Sequence, residues 1–436
     1  MRLHQHRRLF QSIAVAFSSL GGIAAMASPN VQGGGSSLIA PAIGTIVNPA
    51  TEIGLFGTAE GSFTYYSVGS GAGQNAFLNN RPTFFGSTVT GTVHFANSDA
   101  ALSTAQLTSY KAGLGATNGP LIQIPYIVTS ITIPVVFGPA VTSTTTPQTT
   151  PGQAHSIALN DDDLCGIFSG KLTNWNQIIN PETNSPYVLN EPIKVVYSSD
   201  ASGTTELLTR HLAAVCSAAN TATGVTFFDS MTFTAPFPGG VVPSNFIAAS
   251  GDQDIRRQLL SVYASSNTGA VAYLAPNYTN TFLAPSSTVV TSAGALQLPV
   301  ASLVNAKNST YYAPTYANAT TALGPISPPA SKLAASNQAN WVPNAGSPAS
   351  GYPLSGTSQI ILSQCYADPT VKTAVHDFLN AHFTNASFAS IVHGNGFDTV
   401  PSNYQRAISN DFLSNASMWN LDIGNASVCT GTVVGR

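Results

Sequence analysis

The sequence predicts an α/β protein with two domains, and three observations carry that prediction. Short runs of β-branched residues alternate with segments of helical periodicity through much of the chain, for example Val195–Tyr197 followed by Leu208–Val215. Without its leader the chain keeps roughly 409 residues, which exceeds the usual size of a single hydrophobic core. The four cysteines are an even number, which in an exported protein favours two disulfides.

Residues 1–27 have the pattern of a secretory signal. They begin with a basic region made by Arg2, Arg7 and Arg8. An apolar stretch over 9–25 follows and ends in the small-residue site Ala25-Met26-Ala27. The stretch is short for a membrane anchor. We therefore predict cleavage of the leader and a mature protein that is periplasmic or secreted.

Charge is sparse in the rest of the chain. Three of the 15 Lys and Arg residues lie in the leader, so 12 remain against 18 acidic residues, a net charge of −6. A weakly acidic chain with few charges has no electrostatic footprint for nucleic acid. Any anion that it binds must be held by helix dipoles, backbone N–H groups and hydroxyls.

Several elements are predicted from local patterns. Asp161–Asn180 is predicted to form a helix, a turn and a second helix, and residues 305–350, rich in Asn, Ala, Pro and Ser, an irregular surface excursion. Strands are predicted at Thr92–Phe95, within Leu121–Phe137, at Gly269–Pro276 and at Gln359–Leu362, and a helix at Thr370–Phe383.

The cysteines are Cys165, Cys216, Cys365 and Cys429, which allow three pairings. Proximity in the sequence favours Cys165–Cys216 and Cys365–Cys429. A metal site is disfavoured because no Cys-x-x-Cys pair occurs.

The segment Val195–Arg210 has the strongest functional pattern. A buried strand is followed by a turn of small polar residues and then by a helix, with Ser202, Gly203 and Thr204 at the helix start. A helix N-terminus carries unpaired N–H groups and about half a positive charge. The pattern indicates an oxyanion site, with an ordinary N-capped helix as the alternative.

Three further turns of small residues have the same character. They are Gly33–Leu38, Gly69–Gly73 and Ala96–Asp99. Each is a weak signal alone, because a Gly/Ser turn is usually only a turn. Combined with export and two domains, the four turns favour a shared oxyanion site.

Together these segments resemble the phosphate-binding proteins of ABC transporters, and most closely the DING proteins. The motifs occur in family order, and they are GGGSSL, VGSGAGQNAFL, ANSDAAL, LCGIFSGKLTNW, VVYSSDASGTTELLTRHL, GAVAYLAP and YPLSGTSQIILSQCYA. The chain starts with Asn30-Val31-Gln32-Gly33 where DING proteins have Asp-Ile-Asn-Gly.

The resemblance implies a two-lobed, hinged periplasmic-binding-protein fold with a mixed sheet in each lobe. The first lobe would hold residues 28–127 and 290–436, and the second lobe 128–289. Two crossing strands, near Ile127 and Ala272, would form the hinge. Closure would bury one oxyanion between helix N-termini from both lobes. No cofactor or metal is expected, and we expect a monomer that could serve an ABC transporter permease.

The resemblance also implies the ligand contacts. They would come from Ser37, the Leu38 N–H, Ser70 and Asp99 in the first lobe, and from Ser202, Gly203 and Thr204 in the second. A buried carboxylate such as Asp99 repels an anion unless a proton lies between them. Hydrogen phosphate and arsenate carry such a proton and sulfate does not, so Asp99 would reject sulfate. The alternative role for Asp99 is that of an N-cap.

One position departs from the family pattern. Ser198 stands where the family has an arginine that would pair with the anion and with the acid two positions on, here Asp200. A charge-assisted hydrogen bond of that kind is worth ~1.5–3 kcal/mol. Either Arg210 or Lys194 supplies the charge, or affinity is lower, or the ligand differs.

Two other functions remain open from the sequence. A secreted phosphohydrolase on the same scaffold would need a nucleophile with a base or metal. The candidate histidines are His94, His376, His382 and His393, which we expect to be core or surface residues because no HExxH spacing occurs. An extracellular interaction protein that has lost ligand binding is the third possibility.

Overall fold

The structure is a computed structural model, and it describes residues 28–150, 152–265, 268–279, 297–343 and 346–436. The predicted leader over 1–27 and the predicted lobe boundary at 289 lie outside the described residues. The strands are β1 (Asn30–Gly35), β2 (Ser62–Ser67), β3 (Phe95–Ser98), β4 (Leu121–Ser130), β5 (Val135–Val136), β6 (Ala158–Leu159), β7 (Ile179–Asn180), β8 (Ser185–Pro186), β9 (Ile193–Ser198), β10 (Phe246–Ala249), β11 (Gly269–Ala272), β12 (Ser302–Asn305), β13 (Thr310–Tyr312), β14 (Ser355–Ser363) and β15 (Asp398–Thr399).

Helices lie between most of these strands. They are α1 (Ala40–Ile43), α2 (Glu52–Phe56), α3 (Ser70–Leu78), α4 (Thr104–Ala112), α5 (Gly115–Asn118), α6 (Asp161–Ser169), α7 (Gly203–Val215), α8 (Gly251–Ser265), α9 (Pro276–Thr279), α10 (Tyr316–Leu323), α11 (Lys332–Ala335), α12 (Pro369–Thr384), α13 (Ala386–Gly394) and α14 (Ser402–Ile408). The predicted α/β class is confirmed. No helix in the described part of the chain has both the length and the apolar character needed to cross a bilayer.

The larger sheet has six strands in the order β15-β4-β14-β3-β1-β2. Strands β2, β1 and β3 are parallel, so their carboxyl ends lie at one edge of the sheet. Strand β14 returns antiparallel between β3 and β4, and its nine residues are largely buried. A parallel group of strands thus presents the residues after β1, β2 and β3 to a common crevice.

The second sheet has four strands in the order β10-β9-β11-β5. Strands β10, β9 and β11 are parallel, and β5 is antiparallel at the edge. The residues after β9 and β10 therefore also meet at one edge. Helix α7 follows β9, and α8 follows β10, so two helix N-termini point to that edge.

Two short segments connect the sheets. The Thr132 N–H donates to the Leu274 carbonyl at 2.8 Å, and the Leu274 N–H donates back at 3.0 Å. Ile127 lies within β4 of the first sheet, and Ala272 ends β11 of the second. The assignment of lobes and hinge at these positions stays a prediction.

Both disulfides form as proximity predicted. Cys165 of α6 joins Cys216 at the end of α7, and Cys365 joins Cys429. Each closes a loop whose chain-entropy contribution is about 4 kcal/mol. The first bond ties α7 to α6 and so helps to fix the helix that begins beside the site.

Two predicted elements were wrong in extent. The predicted second helix in Asp161–Asn180 is one 3₁₀ turn, Trp175–Gln177, because Pro181 disfavours helical backbone at Asn180. The strand predicted at Thr92–Phe95 is β3, three residues later. Buried Asn97 and Ser98 have the composition of a loop, yet they lie between two paired strands.

The predicted irregular excursion over 305–350 was wrong. It contains β13, α10, α11 and a 3₁₀ turn, Gln338–Trp341. Its Ser, Thr and Asn residues cap these helices, at Thr315, Ser331 and Asn337. Trp341 is fully buried against Phe412, so this segment is part of the core.

Candidate functional site

The carboxyl ends of β1, β2 and β3 bring three polar groups together. The Ser36 Oγ, after β1, donates to the Asp99 carboxylate, with oxygens at 2.7 and 2.8 Å. Ser70 begins α3, and its Oγ accepts from the Asp99 N–H at 3.2 Å. Ser36, Ser70 and Asp99 therefore form one buried cluster at the edge of the first sheet.

Asp99 is the centre of that cluster. Burial raises the pKa of its carboxyl, and hydrogen bonds from Ser36 and Ser70 oppose the rise. The alternative N-cap role is wrong, because α4 begins at Thr104 and is capped by Ser103. The ligand-facing role of Asp99 stays a prediction.

The second sheet supplies the N-terminus of α7. The Ser202 Oγ accepts from the Thr205 N–H at 3.3 Å and caps a helix that begins at Gly203. A methyl group on Gly203 would lie 2.5 Å from the Ser70 Oγ and 2.6 Å from the Asp99 Cβ. Glycine is therefore required here, and the α7 N-terminus abuts both Ser70 and Asp99. Thr204 is buried beside it.

The glycines of Gly69–Gly73 allow the two sheets to approach. The Gly71 N–H donates to the Ala201 carbonyl at 2.9 Å, which joins α3 directly to the turn before α7. A methyl group on Gly69 would lie 2.5 Å from Asp200 Oδ2, and one on Gly71 would lie 2.5 Å from Ala201 Cβ. This motif thus serves close packing across the site.

Ser37 and Leu38 have contacts different from those of Ser36. The Ser37 Oγ donates to Asp252 Oδ2 at 2.5 Å, and the Leu38 N–H donates to the Ser36 Oγ at 3.1 Å. Tyr278 donates its hydroxyl to the Ser37 carbonyl at 3.1 Å. The Ser37 side chain is therefore hydrogen-bonded to the N-terminal turn of α8 and not to Asp99.

Sequence reasoning missed Ser36 and Asp252. The motif pointed to Ser37, whereas Ser36 holds Asp99. Asp252 was visible only as part of the acidic turn that opens α8, and its pairing with Ser37 spans 215 positions. Burial and the charges of Asp99 and Asp200 raise the pKa of Asp252 to about 6, against hydrogen bonds from Ser37 and Ala275.

Asp200, which the family's arginine would pair with, is hydrogen-bonded to neutral groups here. The Ser198 Oγ donates to Asp200 Oδ1 at 2.5 Å, and the Gly251 N–H donates to the same oxygen at 2.9 Å. The N-terminus of α8 thus compensates part of the Asp200 charge.

Neither candidate replacement cation is placed at Ser198. Arg210 pairs with Glu206 at 2.6 Å and with Asp229 at 3.1 Å. Lys194 lies four residues before Ser198 on β9, which is about 13 Å along a strand. The described charged side chains that act on Asp252 from neighbouring elements are carboxylates.

The four candidate histidines have partners away from Asp99. His94 accepts from the Gln32 N–H, and burial lowers its pKa to about 4. The side chain of His382 is buried between Glu52 and Tyr126. His376 bonds Asp377, and His393 bonds Asp398. Within the described ranges, no group of three or more His, Cys, Asp or Glu residues is placed to hold a metal ion.

Comparison with known proteins identifies the family to which the chain belongs. The family model described as PBP superfamily domain matches residues 23–380. A curated protein of Pseudomonas aeruginosa named alkaline phosphatase L is 33% identical over 421 residues, covering 96% of this chain and 98% of that one. A phosphate-binding protein from an unknown prokaryotic organism is 32% identical, covering 84% of this chain and 92% of that one.

The solved structures point the same way. One is a high-affinity periplasmic phosphate-binding protein, PfluDING, with bound phosphate. It has a TM-score of 0.71 and 32% identity, and it covers 93% of this chain and 99% of that chain. The chain therefore belongs to the PBP superfamily. Within it the chain groups with the phosphate-binding proteins of the DING type, as the motifs predicted, and the periplasmic-binding-protein fold is confirmed.

Proposed function

We propose that this protein is an exported solute-binding protein that captures inorganic phosphate, or a similar tetrahedral oxyanion such as arsenate, between two lobes. The observation that carries the proposal is the meeting of the α3 and α7 N-termini at Asp99, with Gly203 packed on Ser70. Two helix dipoles and their N–H groups favour an anion at that point. Relatives and solved structures named for phosphate binding support the same ligand.

The proposed ligand contacts come from residues at the carboxyl edges of the two sheets. Ser37, the Leu38 N–H and Ser70 bind the oxyanion from the first sheet. Ser202, Gly203 and Thr204 bind it from the second. The Asp99 carboxylate accepts a hydrogen bond from the protonated oxygen of the bound oxyanion. A fully deprotonated anion such as sulfate has no such hydrogen, so it would leave two buried negative charges facing each other. A chain with this few cations holds its ligand by dipoles and hydroxyls.

The proposed organisation is that of a hinged binding protein. The described residues within 28–127 and 290–436 form one lobe and those within 128–289 the other, and the hinge lies near Ile127 and Ala272. Contacts such as Gly71 to Ala201 hold the lobes in the closed arrangement. The monomer delivers phosphate to an ABC transporter permease from the periplasm or outside the cell.

Calorimetric titration of the mature, ligand-stripped protein with phosphate tests the proposal, with sulfate as the control anion. We expect one phosphate per chain and far weaker binding of sulfate. No phosphate heat from protein that is shown to be folded and stripped would refute the proposal. That result would favour an interaction protein that kept the fold and lost the ligand.

A second candidate, phosphate-ester hydrolysis, is raised by the relative named alkaline phosphatase L. The Ser36 hydroxyl on Asp99 is the arrangement of nucleophile and base that such chemistry would use. Release of chromophore from a phosphate monoester by the wild type, lost in Ser36→Ala but retained with a chelator, would support hydrolysis. Equal background release from both proteins would exclude Ser36 as the nucleophile and favour binding alone.

A further inference from the structure

Ser37 and Asp252 form a hydrogen-bonded pair that joins the two sides of the site. The Ser37 Oγ follows β1, and Asp252 lies in the first turn of α8, with 2.5 Å between the Ser37 Oγ and Asp252 Oδ2. The other carboxylate oxygen accepts from the Ala275 N–H at 3.2 Å. Asp252 is 1% exposed, so its carboxyl is shielded from water.

The hydroxyl of Ser37 has one hydrogen and two acceptor lone pairs. When Ser37 donates that hydrogen to the Asp252 carboxylate, it can only accept from a ligand, so the ligand must bring its own hydroxyl. When the Asp252 carboxyl carries a proton instead, it donates to Ser37, and Ser37 donates to the ligand. In both arrangements the bound complex holds one additional proton, either on the ligand or on the Asp252 carboxyl. A serine without the Asp252 partner could donate to the ligand directly and would not need that proton.

The groups around Asp252 favour that additional proton. Asp99 from the first sheet and Asp200 after β9 are both carboxylates, and burial together with their charges raises the pKa of Asp252. Tyr273 after β11 and Tyr278 of α9 stay neutral, because burial and the Asp252 charge raise their pKa values.

The cations of α8 itself have other partners. The guanidinium of Arg256 donates to the Tyr278 carbonyl at 2.6 Å. Arg257 is bonded to Asp254 at 2.8 Å, on the exposed side of the helix. The charges of Asp99 and Asp200 raise the pKa of Asp252.

We propose that Asp252, acting through Ser37, is a second proton-sensing residue of the site, so that the protein selects the doubly protonated, singly charged form of its oxyanion. This inference rests on the proposed function. Asp99 provides one acceptor for a ligand hydroxyl, and the Ser37–Asp252 pair provides the second. Ser198 leaves the site without the arginine that would favour a dianion, so a monoanion is the better electrostatic match.

The proposal has a consequence for pH dependence. Above neutrality free phosphate is mainly the dianion with one proton, and free Asp252 is ionised. Binding must then take up about one proton from solvent, so the apparent Kd rises about tenfold per pH unit. At about pH 6 most of the free phosphate already carries its second proton, so binding needs little further proton uptake and the pH dependence flattens.

Calorimetry with inorganic phosphate tests this, at about pH 6 and about pH 8 in two buffers that differ in ionisation enthalpy. The wild type is compared with Asp252→Asn and with Asp254→Asn, a matched control in the same turn of α8. We expect an uptake of about one proton at the higher pH in the wild type and in Asp254→Asn. In Asp252→Asn the uptake falls by about one proton, because the amide can turn to donate to Ser37.

Phosphate binding with the same proton uptake in the wild type and in Asp252→Asn would overturn the proposal and leave the proposed function intact. Absence of phosphate heat at both pH values, in all three proteins shown to be folded and stripped, would overturn the proposed function and this inference with it.

Discussion

The two sides of the site each surround a carboxylate with neutral donors, but the donors differ. On the first-sheet side, the Asp99 carboxyl is surrounded by hydroxyls from Ser36 and Ser70 and lies beside the N-terminus of α3. On the second-sheet side, Asp200 pairs with no cation among the described residues, and it accepts from the Ser198 hydroxyl and the Gly251 N–H. Both sides thus hold a carboxylate with neutral donors, although the family pattern assigns an arginine to the second.

Under the proposed function, helix N-termini would take the place of the family's guanidinium on the second-sheet side. Helix α7 starts at Gly203 and α8 at Gly251, both at the carboxyl edge of the second sheet. A helix N-terminus in a favourable, partly buried geometry contributes up to ~2 kcal/mol to an anion, which is comparable to one charge-assisted hydrogen bond. If the proposed function is right, we expect the first-sheet side to set which anion fits and the second-sheet side to set how tightly the anion is held.

The largest expected effect comes from separating the two sides. In Gly203→Ala the new methyl group meets Ser70 and Asp99 at distances that no side-chain shift relieves. Overpacking of this kind costs about 1–3 kcal/mol, which weakens phosphate binding by about tenfold to a hundredfold.

Titration calorimetry measures the Gly203→Ala effect, with Gly86→Ala as the control. A methyl group on Gly86 meets one Val89 side-chain atom at 3.3 Å, far from the site. Unchanged phosphate affinity in folded Gly203→Ala would break the claim that the α7 N-terminus meets Asp99 in the bound state.

Restoring the cation is the next test. In Ser198→Arg we expect phosphate affinity to rise about tenfold to a hundredfold, from one new charge-assisted hydrogen bond worth ~1.5–3 kcal/mol. Ser198→Gln is the matched control, since it adds length without charge. If Ser198→Arg binds no more tightly than Ser198→Gln, position 198 does not face the ligand.

Removing the negative charge of Asp200 has a smaller effect. Asp200→Asn keeps the acceptor oxygen for Ser198 and Gly251 and removes a negative charge beside the anion. The Coulomb energy is on the order of 1 kcal/mol at close range for a water-like dielectric constant of about 80, which suits the partly exposed Asp200, so affinity should rise about fivefold.

The Asp200→Asn gain is measured in low salt, where screening is weak. Glu191→Gln changes the same charge before the opposite end of β9 and serves as the control. A loss of affinity in Asp200→Asn would mean that its carboxylate is itself needed to organise the site.

The smallest effect is expected at Arg210. Its guanidinium is held by Glu206 and Asp229, and not by Asp200. Arg210→Gln should change phosphate affinity by less than about twofold. Burial raises the pKa of Glu206 to about 7 against the opposing charge of Arg210, so the variant leaves a Glu206 that can take a proton.

Equilibrium dialysis of Arg210→Gln and of the Arg210→Gln/Glu206→Gln double variant isolates the role of the cation. A large loss of binding in both proteins would show that Arg210 reaches the ligand after all.

The sequence predicted the elements whose pattern is local. The strand Ile193–Ser198, the helix start at Gly203 and both disulfides follow from β-branched runs, capping residues and proximity. The position of Ser70 at the start of α3 was also visible, because Gly69 precedes it in the turn.

What the sequence missed depends on distant contacts. Asp252 meets Ser37 only because β1 and β10 end at facing edges of two different sheets. Trp341 becomes core because it packs on Phe412, far along the chain. Asn97 and Ser98 have the composition of a loop and form a strand because strands lie on both sides.

The central claim is that the Asp99 carboxylate accepts a hydrogen bond from a protonated oxyanion, which is held between two helix N-termini. Its most direct test is the ratio of phosphate affinity to sulfate affinity in the wild type and in Asp99→Asn, measured by calorimetry at neutral pH. The account predicts a strong preference for phosphate in the wild type and a fall of at least about tenfold in that ratio in Asp99→Asn, since the amide can donate to sulfate. An unchanged ratio in folded Asp99→Asn would contradict the account.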